Sequence, residues 1–166
     1  MVAEESRQHE GARARVDEAV RFLNVVCVAM VISVGALAVV AWFVASNLGS
    51  AGPVGPPLPR ALAYVGFAVG LALLFAAPVA HRKMLARAGV SLRPDERAAT
   101  LLESFRLATL LAFLLREGAA IVGLMLTLLT NEPMWCYVLG ALAIVAMIWG
   151  WPRGEQAASL LGEVPA

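Results

Sequence analysis

The chain has 166 residues, of which 60% are hydrophobic and only 15% charged, and this is too apolar for an ordinary soluble domain of that length. Its net charge of +1 conceals a strong segregation of charge along the sequence. The apolar residues are gathered into long runs, which is the signature of membrane spans.

Residues 1–21 mix both signs of charge and predict a solvated, partly helical cap. The first apolar run, 22–46, is long enough to cross a hydrocarbon core of roughly 30 Å with some tilt. Its length, and Glu4, Glu5, Glu10, Asp17 and Glu18 ahead of it, argue against a cleavable signal peptide. Pro53, Pro56, Pro57 and Pro59 then demand a non-helical loop. The second span is 61–80, and its helix is expected to run on through His81 until Gly89 stops it. Pro94, Asp95 and Glu96 mark the next helix start, since proline suits the first helical position and acids complement the positive end of the dipole.

The third span, 107–130, is interrupted by Arg116 and Glu117. Thr130-Asn131-Glu132-Pro133 is a tight turn, so the fourth span, 134–151, folds back antiparallel against the third. A tail, 152–166, follows. The expected fold class is therefore all-α, a single integral membrane domain forming a four-helix bundle.

Arginine and lysine placement sets the expected orientation. Arg7, Arg13, Arg15 and Arg21 precede span one, Arg82, Lys83, Arg87, Arg93 and Arg97 lie in the 81–106 loop, and Arg153 follows span four, whereas the other side carries Arg60. That asymmetry places both termini in the cytoplasm and the chain in the inner (plasma) membrane, its middle loop drawn to anionic lipid rather than to nucleic acid. Trp42, Tyr64, Trp135 and Tyr137 mark one interface, Trp149 and Trp151 the other.

Helix association in lipid needs close backbone approach. Gly66 and Gly70 form a small-xxx-small ridge in span two, Gly123 with Ala119 offers a similar surface in span three, and Gly35, Ala38, Ala41 and Ala45 do so in span one. These surfaces suit packing within one bundle, a homo-oligomer, or a partner in a membrane complex. Cys27 and Cys136 fall toward opposite faces, which argues against a disulfide between them and against a metal cluster.

The third span carries the ionisable chemistry. Charges within a span cost several kcal/mol, so Arg116 and Glu117, near the bilayer midplane, are candidate functional residues. Successive residues point about 100° apart on a helix, so the two do not pair along it. Glu103, Arg106 and Glu117 share one face, and Thr109 shares that of Arg116. Three uses are open: an internal polar core in which Glu117 and Arg116 are satisfied by hydroxyls, carbonyls or each other; a proton or cation relay through Glu117; and an anion or lipid-phosphate site formed by Arg116 and Arg106 facing a cavity. His81 reads as an interfacial side chain. No Walker glycine loop, HExxH, CxxC or GxSxG occurs, so no catalytic residue or cofactor is indicated.

The run Leu114-Leu115-Arg116-Glu117-Gly118-Ala119-Ala120-Ile121-Val122-Gly123 resembles the third span of a family of uncharacterised small bacterial four-helix membrane proteins, which carry an Ala-Leu-x-Glu-Gly-x-Ala-Leu-like motif before an apolar run. Trp151-Pro152-Arg153 matches the proline and polar tail ending the fourth span in that group, while Ala112 stands where it often has a basic residue. This resemblance implies no activity. The same run is similar to the glutamate helix of rotary ATPase proteolipid subunits, and that similarity implies proton or sodium binding at Glu117.

The expected role is a non-enzymatic structural or accessory membrane subunit, with a proton- or cation-linked channel or transporter subunit as the alternative.

Overall fold

The structure is a computed structural model and describes residues 2–48, 59–88 and 94–153. Four helices follow in chain order: α1 (Val2–Leu48), α2 (Arg60–Ala88), α3 (Pro94–Thr130) and α4 (Met134–Trp149). The proline-rich loop, the stop at Gly89 and the C-terminal tail lie outside the described residues. All four helices belong to one all-α bundle, and three of them are long and apolar enough to cross a membrane. At 1.5 Å per residue α1 is about 70 Å long and α3 about 55 Å, so both project well beyond a hydrocarbon core of about 30 Å. The fourth, with 16 residues, is a shorter apolar helix of about 24 Å.

The third helix is the axis of the bundle. It packs closely against α1, α2 and α4, whereas the backbones of α1 and α2 do not approach each other among the described residues. In its most apolar window 44% of the residues are buried, against 17% in α1 and in α2. The outward faces of those two helices show Val25, Ile32, Val39, Val65, Val69 and Phe75. Such a surface would drive aggregation in water, but lipid tails are as apolar as leucine and solvate it at no cost.

Because lipid removes the usual reward for apolar burial, close packing must hold the helices together, and the glycines show where this happens. A Cβ on Gly66 would sit 2.7 Å from Leu126 Cδ2, and one on Gly70 2.8 Å from Leu139 Cδ1, so α2 lies against both α3 and α4 there. Gly123 is less forgiving, because its Cβ would meet backbone and not a side-chain end: the carbonyl oxygen of Trp135 at 2.9 Å. Gly35 faces open space.

The α3–α4 turn is built from local chemistry. Asn131 takes the left-handed conformation, φ 58°, that ends α3, and its N–H donates to Thr127 O at 2.8 Å. Pro133 occupies the N-cap of α4 and offers no side-chain acceptor. Thr127 supplies one from the neighbouring helix: its buried hydroxyl accepts from Cys136 N–H at 3.3 Å, and it donates to Gly123 O at 3.1 Å. One of the orphan donors of the first turn of α4 is thereby satisfied. Trp135 closes this end by donating to Glu132 at 3.2 Å and packing edge-on to Tyr64.

Candidate functional site

Arg116 and Glu117 leave α3 in different directions, as adjacent helical positions must. Glu117 is half-buried toward α1 and accepts a 2.6 Å hydrogen bond from the Ser33 hydroxyl. Ser33 lies beside the midpoint of the apolar window Asp17–Asn47, and Glu117 lies close to that of Thr100–Thr130. The carboxylate is thus held at mid-depth, between two helices of the same chain.

Arg116 goes the other way. Its side chain is 8% exposed, and its guanidinium lies 5.3 Å from the centroid of the Phe113 ring, whose own neighbour is Trp151 at 6.4 Å. No ion pair joins it to Glu117 among the described residues, and its Nε and Nη1 are buried with no hydrogen-bond partner. The head group reaches the far end of α4, where a Cβ on Gly150 would be only 2.5 Å from Nη1 and Nη2. Gly150 has φ −90° and ψ 22°, which other residues also adopt, so glycine here makes room for the guanidinium and not for the backbone. A residue counted to mid-span from its backbone therefore snorkels toward the bundle end, close to the C-terminal, partially negative pole of α4.

There it forms part of a pocket of about 180 Å³ enclosed by α2, α3 and the residues after α4. Phe105, Thr109, Phe113 and Pro152 supply its buried floor with Arg116, while Pro78, Arg82 and Gly150 are exposed around its mouth. His81 lines it as well, edge-on to the Phe105 ring at 6.1 Å. Thr109 Oγ1 is buried and without a partner. Seven residues, two helical turns, separate Thr109 from Arg116, so both face the pocket from one side of α3.

The stripe of Glu103, Arg106 and Glu117 does not act as a unit. Glu103 is exposed, Arg106 is half-buried with an unpartnered Nε, and no hydrogen bond or ion pair links the three among the described residues. Arg106 is also not part of the pocket wall; the residues that accompany Arg116 there are the cation Arg82 and the imidazole of His81, both from α2, and burial together with Arg116 and Arg82 lowers the His81 pKa, which favours its neutral form. That pairing depends on how α2 and α3 pack, which residue spacing along one helix does not report. The role of Gly150 likewise has no local signal, since the atoms that need its space come from 34 positions earlier in the chain.

The two thiols, Cys27 and Cys136, are free and buried. Among the described residues no group of three or more His, Cys, Asp or Glu side chains comes together to hold a metal ion. No family model, no curated protein and no solved structure matches the chain.

Proposed function

We propose that the protein is a non-enzymatic integral membrane bundle of the inner (plasma) membrane with both termini cytoplasmic, acting as a structural or accessory subunit. The observation that carries this reading is the Ser33–Glu117 hydrogen bond, which ties α1 to the axial helix α3 inside one chain. A mid-span carboxylate anchored by a hydroxyl serves as a polar tether where apolar contacts give little orientation. The exposed apolar faces of α1 and α2 remain for lipid, a second copy, or a membrane partner.

The competing reading is a proton- or cation-linked channel or transporter subunit that uses Glu117, favoured by the mid-depth position of that carboxylate beside a hydroxyl. Proteoliposome assays of proton and sodium flux on the wild type and Glu117→Gln separate the two. The accessory reading expects no flux from either protein. Wild-type flux that disappears in a well-folded Glu117→Gln variant would replace it with the transport reading. Because Arg116 is not paired with Glu117, this variant leaves the guanidinium undisturbed and reports on the carboxylate alone.

A further inference from the structure

We propose that the pocket between α2, α3 and the end of α4 binds a phosphoryl group, carried by an anionic lipid headgroup or present as free phosphate, with Arg116 and Thr109 as its hydrogen-bond donors. This does not depend on the accessory or transport reading, because Glu117 is engaged with Ser33 and does not line the pocket.

Charge is the first reason. Among the described residues, the ionisable side chains that line the pocket are His81, Arg82 and Arg116, and none of the lining residues is acidic. Satisfaction is the second. Two guanidinium nitrogens of Arg116 and the hydroxyl of Thr109 are buried with no hydrogen-bond partner among the described residues. Buried polar groups are normally hydrogen-bonded, and an unpaired buried cation is the costliest exception. An oxyanion answers both deficits at once: it neutralises the guanidinium and accepts from one of its unpartnered N–H groups and from Oγ1.

Shape is the third. The Phe113 face and the space left by Gly150 hold the planar fork in one orientation, and that fork matches two oxygens of a phosphoryl group. The cavity of about 180 Å³ is well above the roughly 30 Å³ share of one liquid water, so a tetrahedral oxyanion fits. The exposed mouth at Pro78, Arg82 and Gly150 gives access from the bundle end. Beside it α2 presents Phe75 and Val79 outward, an apolar track for an acyl chain whose headgroup enters the pocket.

The test is calorimetric titration of the full chain in a neutral detergent with two probes, inorganic phosphate and short-chain phosphatidylglycerol. Saturable one-site binding is expected. Losing the charge-assisted hydrogen bonds in Arg116→Gln should weaken it about 10- to 100-fold, and losing the neutral donor in Thr109→Val about 2- to 10-fold. Lys83→Gln removes an equal charge from an exposed position outside the pocket and should change nothing. Binding of the lipid alone identifies a headgroup site, and binding of both probes identifies a site for the phosphoryl group itself. Absence of saturable binding by either probe overturns the proposal, as does Lys83→Gln weakening binding as much as Arg116→Gln. If Arg116→Gln fails to fold, Thr109→Val decides: unchanged affinity in that variant also overturns it.

Discussion

Substituting Gly123 by alanine tests whether backbone approach, and not side-chain burial, fixes the α3–α4 hairpin. The added methyl would lie 2.9 Å from Trp135 O, 3.0 Å from Cys136 Cα and 3.1 Å from Leu139 Cβ. Two of those three atoms are backbone and the third is attached directly to it, so no rotamer change can relieve the contact; the helices must separate by a few tenths of an ångström. Overpacking of this kind costs about 1–3 kcal/mol, and a rigid partner puts it toward the upper end. Alanine returns about 1 kcal/mol of helix preference, leaving a net loss of about 2 kcal/mol. The assay is the unfolding midpoint in mixed micelles of dodecyl maltoside and SDS, followed by helicity. Gly35→Ala is the internal control, because nothing lies within 4 Å of its added Cβ, and it should be neutral or stabilised by up to about 1 kcal/mol. Equal midpoints for Gly123→Ala and the wild type, or an equal loss in Gly35→Ala, would refute the reasoning.

Thr127→Val keeps the shape of the side chain but leaves Cys136 N–H buried without its acceptor, and should cost about 1–3 kcal/mol in the same assay; a loss below a few tenths would show that the bond contributes little. Gly150→Ala places a methyl against the Arg116 guanidinium but keeps a permitted backbone conformation, so the helicity midpoint should stay near wild type while affinity for phosphoryl probes falls about tenfold, the worth of one charge-assisted hydrogen bond. Both native cysteines are buried, so the wild type should resist membrane-impermeant maleimide. Against that background Arg153→Cys should label from the cytoplasmic side of inverted vesicles and Glu132→Cys from the opposite side; the reverse pattern would invert the proposed topology.

Much of the architecture was legible along the chain because bilayer thickness, proline chemistry and helix capping act locally. The helix start at Pro94, the continuation of α2 past His81 and the reversal at Asn131 follow from residues within a turn or two of each boundary. The mid-depth position of Glu117 likewise needs only a residue count at constant rise. Separation of the Arg116 and Glu117 side chains needs only the 100° step of the helix.

What each side chain meets was decided by the packing of helices distant in sequence. Ser33 reaches Glu117 from α1, and His81 and Arg82 come to Arg116 from α2. Gly150 owes its constraint to a guanidinium on another helix, and Thr127 caps a helix of which it is not part. A long arginine side chain also moves its charge away from its own Cα, so backbone depth alone misplaces it. The sequence by itself therefore determined which segments are apolar helices and where they turn. The tertiary structure decided that α3 lies at the centre and that its arginine faces a cationic pocket while its glutamate bonds a hydroxyl, because helix rotation and pairing depend on contacts that no single segment encodes.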